Sequence, residues 1–252
     1  YYTMKYCIIV PHYKHEVLFE KFLPALASLN LPCIVVDDGS GEESVNSVKA
    51  LLADHPDFHL VCHQTNRGKG ASVITGCYHA SAMGFSHVLQ LDADGQHNID
   101  DAQKLLDYSK QHPDSFISGQ PCFDETAPFA RKYGRKITDF WVALETLSFQ
   151  IKDGLCGFRV YPIKQIERVF DNYYLGPRMD FDPELLVKAV WAGIDLHFIQ
   201  TKVIYHENTV SHFHYLKDNL MLIRLHVRLM FGMLVRLPKL LYNRLKSLLG
   251  KS

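Results

Sequence analysis

The chain has 252 residues, 47% hydrophobic and 21% charged, which suits one large globular domain with a substantial core. Its 27 basic residues balance 27 acidic ones, so no overall positive charge points to a nucleic-acid partner. The six cysteines are scattered without a Cys-x-x-Cys spacing, which disfavours a disulfide framework and fits a reducing cytoplasm.

Tyr6–Pro11 is a β-rich run, and the proline predicts that the first strand stops there. Its core, Cys7–Val10, is too short for a signal peptide. A polar loop, His12 to Glu16, leads to helical spacing from Val17 to Leu29. Cys33–Val36 reads as a buried strand that ends in Asp37-Asp38-Gly39-Ser40-Gly41, a turn before a helix from Ser44 to Leu52. Phe58–Cys62 is a third strand, and Asn66-Arg67-Gly68-Lys69-Gly70 leads into a helix ending near Met83.

Val88–Leu91 is a fourth strand, and it runs straight into Asp92-Ala93-Asp94-Gly95-Gln96-His97. Residues i and i+2 of a strand share a face, so Asp92 and Asp94 point together into the crevice at the strand's carboxyl end. Two adjacent carboxylates repel unless a cation or hydrogen bonds hold them, and a hard divalent ion carrying phosphates does so. Ile99–Gln111 then reads as a helix and Ser115–Gly119 as a strand. Beyond it come a helix from Ala130 to Phe149, a turn and strand over Asp153–Tyr161, and a helix opened by Phe181-Asp182-Pro183-Glu184. Leu196–Ile199 and Val203–His206 read as final strands. This alternation predicts an α/β fold with a mostly parallel sheet covered on both faces, its loops gathering Asp38, Gly68–Gly70 and Asp94 on one edge.

These motifs, in this order, resemble family 2 inverting glycosyltransferases of the GT-A fold. Pro11-His12-Tyr13 is similar to the family's Pro-x-Tyr loop, Val36 to Ser40 to its nucleoside-binding turn, and Asn66 to Ala71 to its Asn-x-Gly-Lys-Gly segment. Asp92 to His97 resembles its Asp-x-Asp motif, and Asp153 to Arg159 a segment of the polyprenyl-phosphate sugar synthases. The resemblance covers about residues 5–215. It implies a UDP- or GDP-sugar donor held by Pro11, Tyr13, Asp38, Asn66, Gly68, Lys69 and Asp92. It also implies Mg²⁺ or Mn²⁺ on Asp94, with Gln96 as a second ligand.

The chemistry of these residues agrees. A carboxylate such as Asp38 accepts from imide or hydroxyl donors, glycines admit close backbone approach, and Lys69 or Arg67 meets phosphate charge. Arg159 is a candidate second cation on the leaving diphosphate. A hydroxyl acceptor needs a base, for which Asp182, Glu184 and Asp153 are candidates, each with an ordinary helix-start or turn explanation. An anionic lipid phosphate needs none. His97, His206, His212 and His214 are further candidate metal ligands.

From residue 216 onward the chain carries eight basic residues against the single acid Asp218, set in a Leu- and Met-rich run. Arg224, Arg228, Lys239 and Lys246 fall near one helical face with apolar surface opposite, the pattern of a helix lying in a membrane interface. Arg and His within the run argue against a spanning helix, and Pro238 is expected to break or kink it. A helix packed on the domain, or an oligomer contact, is the alternative. The expectation is therefore a glycosyltransferase domain at 1–215 and a basic amphipathic tail at 216–252. Such a protein lies on the inner face of the membrane and moves a sugar to a lipid-linked or membrane-associated acceptor. A polyprenyl-phosphate sugar synthase and a non-catalytic sugar-nucleotide-binding membrane scaffold are the alternatives.

Overall fold

The computed structural model describes residues 3–93, 95, 97–122, 129–202 and 215–249. Among these residues seven strands form one sheet: β1 (Tyr6–His12), β2 (Cys33–Asp37), β3 (Phe58–Cys62), β4 (His87–Gln90), β5 (Phe116–Cys122), β6 (Arg159–Pro162) and β7 (Leu196–Lys202). Their order across the sheet is β3-β2-β1-β4-β6-β5-β7, with every neighbour pair parallel except those of β6.

The central strands are buried along nearly their whole length, with apolar runs such as Cys7–Val10 and Cys33–Val36, because both faces are covered. Ile8, Leu89, Ile117 and Val160 point to one side, where α1 (Glu16–Ser28), α2 (Glu42–Leu52) and α4 (Ile99–Gln111) supply Phe19, Val48 and Leu105. Their neighbours Ile9, Val88, Phe116 and Tyr161 point to the other side. There they meet α3 (Lys69–Ala82), α5 (Phe129–Thr146), α6 (Ile163–Asn172), α7 (Phe181–Ala192) and α8 (Tyr215–Leu249).

Two expectations change, and the helix α6 is an addition to the expected elements. The first strand does not stop at Pro11: it continues to His12, which pairs with Asp37. Pro11 is tolerated because pairing to β4 has already ended at Ile9 and Gln90, so its missing N–H interrupts no ladder. The helix α6 follows β6 directly. And α8 continues through Pro238 as one helix. The strand expected at Val203–His206 lies outside the described residues.

The basic C-terminal stretch also packs differently from its amphipathic reading. The apolar face opposite Arg224 and Arg228 is spent on the domain, where Leu225, Leu229, Met233 and Leu240 are buried in the same core as α5 and α7. Gly232 lets α8 approach α7: a Cβ there would lie 2.6 Å from the Trp191 ring. A second apolar row, including Ile223, Val227, Phe231 and Leu234, stays exposed on α8, as do Ile137 and Phe140 on α5.

Candidate active site

Parallel strands place their loops on one edge, and here that edge brings the ends of β1, β2 and β4 together. Both aspartates after β2 are buried. Asp37 lies 3.0 Å from His12 Nδ1 and accepts the Ser40 N–H. Asp38 accepts the N–H groups of Arg67 at 2.8 Å and Gly68 at 2.7 Å. His63 Nδ1 lies 2.8 Å from Asp38, and its Nε2 lies 3.0 Å from Thr75 on α3. Asp38 thus ties the turn after β2 to the loop before α3, and three protein donors already occupy its two oxygens. Pro11 and Tyr13 are half-buried at the mouth of the same edge, with Lys14 Nζ 5.4 Å from the Tyr13 ring centre.

Lys69, the first residue of α3, reaches across the crevice. Its ammonium lies 2.9 Å from Asp92 and 3.1 Å from Asp182, with the Lys69 and Asp92 side chains 23% and 26% exposed. Burial alone would lower the ammonium's pKa, but Asp182 and Asp92 outweigh it and hold the pKa well above the usual lysine range. Burial would likewise raise the Asp92 carboxyl, but Lys69 and then His97 hold it well below the usual carboxylate range. His97 Nε2 is 3.4 Å from Asp92, and its ring packs on Phe158. Gly157 makes room for the pair, since a Cβ there would lie 2.5 Å from Lys69 Nζ and 2.8 Å from Asp92. Both Asp92 oxygens lie against the Lys69 ammonium, Oδ1 at 2.9 Å and Oδ2 at 3.0 Å. Asp94 and Gln96, like His206, His212 and His214, lie outside the described residues.

The other predicted groups separate. Asp182 faces the crevice through Lys69, and behind it stands Arg159. Arg159 is 0% exposed, lies 3.2 Å from Asp182 Oδ1, and donates to the Asp182 carbonyl at 3.1 Å. A guanidinium enclosed in this way cannot touch a diphosphate, so the second-cation role is replaced by a supporting one. Glu184 is fully buried on the α8 side of α7, where it meets Lys188 at 2.5 Å and Arg228 at 2.7 Å. Two residues along a helix point to different faces, which is why Asp182 and Glu184 diverge. Asp153 closes a turn, accepting the Leu155 and Cys156 N–H groups and pairing with Arg135. Neither Glu184 nor Asp153 is placed to take a proton in the crevice.

Sequence reasoning missed His63, Gly157 and the Gly176–Arg178 loop. Pro177 accepts the Ala71 N–H, and Arg178 donates to Asn66 at 3.0 Å. Gly68 has φ +103°, and a Cβ on it would lie 2.3 Å from the Pro177 oxygen, so only glycine fits.

Asp139 of α5 accepts the Gly154 N–H beside Asp153, and burial followed by the Asp153 charge pushes its carboxyl up to about 6. The folded chain therefore keeps this proton while the unfolded chain releases it near pH ~4. The associated stability is present at low pH and is lost as pH rises through about 6. Asp139→Asn should match the wild-type melting temperature at pH 4 and exceed it at pH 7, read by circular dichroism. An equal difference at both values would reject the assignment.

The sheet order and the crevice are those of an α/β domain of the GT-A type. Solved structures share this architecture. Glucosyl-3-phosphoglycerate synthase from Mycobacterium tuberculosis, in complex with UDP, matches with a TM-score of 0.63 at 13% identity, over 92% of this chain and 80% of that one. A mannosyltransferase from Pyrobaculum calidifontis, in complex with GDP-Man and Mn²⁺, matches with a TM-score of 0.62 at 17% identity, over 93% of this chain and 65% of that one. The model of glycosyl transferase family 2 matches residues 7–172, and the chain belongs to that family. A dolichyl-phosphate beta-glucosyltransferase of Trichomonas vaginalis is 32% identical over 164 residues, 62% of this chain and 48% of the relative. The UDP-N-acetylglucosamine–dolichyl-phosphate N-acetylglucosaminyltransferase of Methanococcus voltae is 23% identical over 221 residues, 81% of this chain and 87% of the relative. The chain spans 48% to 62% of the length of the Trichomonas glucosyltransferases it matches.

Proposed function

We propose that the chain transfers a sugar, with inversion, from a UDP- or GDP-sugar to a membrane-borne polyprenyl phosphate. The observation that carries this reading is the charged crevice of Lys69, Asp92 and Asp182 beside the glycine-bearing loop before α3. Lys69 is charged and half-buried, and it stands where a donor's diphosphate would follow the loop. A divalent cation, Mg²⁺ or Mn²⁺, would be held mainly by Asp94 with Gln96, beside the Asp92 carboxylate that Lys69 already neutralises. Such an ion, when bound, would neutralise charge growing on the leaving nucleotide. Asp38 would act on the nucleoside side chiefly by holding the Arg67–Gly68 backbone in place.

A phosphate acceptor is favoured over a hydroxyl because the candidate bases are committed elsewhere. Asp153 and Glu184 sit in ion pairs away from the crevice, and Asp182 is clamped between Lys69 and Arg159. An anionic phosphate attacks without losing a proton, so this arrangement costs it nothing. The named dolichyl-phosphate relatives point the same way.

Among the described residues no helix is long and apolar enough to cross a membrane. The exposed apolar rows of α8 and α5, edged by Arg224, Arg228 and Lys239, would instead lie on an anionic bilayer surface. The six free cysteines are in keeping with the cytoplasmic face.

Melting curves with UDP or GDP, each with and without Mn²⁺, test the donor site. One nucleotide should raise the melting temperature of wild type in a metal-dependent way, and Asp94→Ala should abolish the rise. A folded protein that responds to neither nucleotide would sink the assignment.

A further inference from the structure

The C-terminal helix does more than pack against the domain. Arg228 of α8 reaches Glu184 at 2.7 Å, lies 4.0 Å from Asp180, and places its guanidinium 4.9 Å from the Tyr174 ring centre. Glu184 is fully buried, and the oxygen that takes Arg228 also accepts the Gly176 N–H at 2.6 Å. Gly176 begins the loop whose next two residues hold the segment before α3. Pro177 accepts the Ala71 N–H and backs Gly68 so closely that no side chain fits between them, and Arg178 holds Asn66. A continuous set of contacts therefore runs from α8 through Glu184 and the Gly176–Arg178 loop to Asn66–Ala71.

We propose that Arg228 is a positioning residue for the donor: through Glu184 it fixes the Gly176–Arg178 loop, and with it the backbone that receives the diphosphate. This rests on Asn66–Gly70 being the donor loop. Charge balance gives Arg228 its weight. Glu184 pairs with Lys188 at 2.5 Å and Arg228 at 2.7 Å, and Arg228 also lies 4.0 Å from Asp180. Lys188 holds the other Glu184 oxygen and also donates to the Tyr174 carbonyl, so the oxygen that anchors Gly176 has Arg228 as its charged partner. Without Arg228 the buried carboxylate is under-compensated, and the loop it anchors is free to shift.

The test is calorimetric titration of UDP and of GDP, with Mn²⁺, into wild type, Arg228→Ala, Arg228→Lys and the exposed control Arg224→Ala. For the nucleotide that wild type binds, Arg228→Ala should weaken affinity by roughly threefold to thirtyfold. Arg228→Lys should recover part of the loss, and Arg224→Ala should match wild type. Equal affinity in wild type and a folded Arg228→Ala overturns the inference, as does an equal loss in Arg224→Ala. Amide exchange supplies a readout that needs no nucleotide and is available in Arg228→Lys should the alanine variant not fold. Faster exchange confined to the amides of residues 66–71, Gly176 and Arg178 supports the coupling, and unchanged exchange there overturns it. A wild type that binds neither nucleotide counts against the donor-site reading, and the exchange experiment still decides the coupling.

Discussion

Asp182→Ala should lower the unfolding free energy by about 3–5 kcal/mol, the scale for removing one partner of a buried ion pair. The reason is Arg159, which is 0% exposed and keeps its charge at any accessible pH. Its side-chain contacts include the Asp182 carboxylate, the Asp182 and Gly154 carbonyls, the Tyr161 hydroxyl and the ring of Phe116. Carbonyl dipoles alone do not balance a guanidinium taken out of water. Urea denaturation of Asp182→Ala, and of the double variant with Arg159→Met, separates charge from packing. The double variant should regain much of the loss, because an apolar side chain of similar length leaves no buried charge behind. A single variant within ~0.5 kcal/mol of wild type, the usual range for surface changes, would mean that Arg159 does not depend on Asp182.

Gly157→Val should cut glycosyl transfer by roughly 100-fold, the cost of a misplacement of about 1 Å at a reacting centre, while changing the melting temperature little. Even the first carbon of the new side chain would fall 2.5 Å from Lys69 Nζ and 2.8 Å from Asp92. Both obstacles are the free ends of flexible, partly exposed side chains, so they move and the fold survives. What is lost is their mutual position at the crevice floor. Initial rates with a radiolabelled donor sugar, set beside melting curves, distinguish the cases. A fall in both would show that Gly157 matters for folding, and a fall in neither would remove the Lys69–Asp92 pair from the proposed mechanism.

Much of this arrangement is legible in the sequence, and the reason is geometric. Strands buried on both faces leave unbroken apolar runs such as Cys33–Val36, and parallel strands put the polar residues after each run on one edge. That brings Asp38, Gly68–Lys69 and Asp92 together without any knowledge of contacts. What the sequence cannot display is who meets whom. Lys69 and Asp182 are 113 residues apart, and no local pattern separates a crevice-facing Asp182 from a Glu184 turned toward α8. The helix α6 escapes notice because it begins at Ile163, directly after Pro162 ends β6, with no turn residues between. The last helix shows both apolar rows plainly in its periodicity, but which row the domain takes depends on Trp191 and the gap left by Gly232.

The place of β6 between β4 and β5 bears on how the chain is made. Each of the strands β1 to β4 has a partner among the other three, in a continuous stretch ending at Gln90, and β4 keeps one edge for β6. Among the described residues the strand β5 pairs with β6 and β7 alone, and both leave the ribosome after it. At about 5–20 residues per second, β5 waits some seconds as an unpaired edge before β6 arrives to join the two halves. During that interval Phe116-Ile117 is an apolar segment open to wrong pairing. Assembly of the second half is thus set by the order of synthesis, and the interval before β6 emerges is when a nascent chain would most need a chaperone.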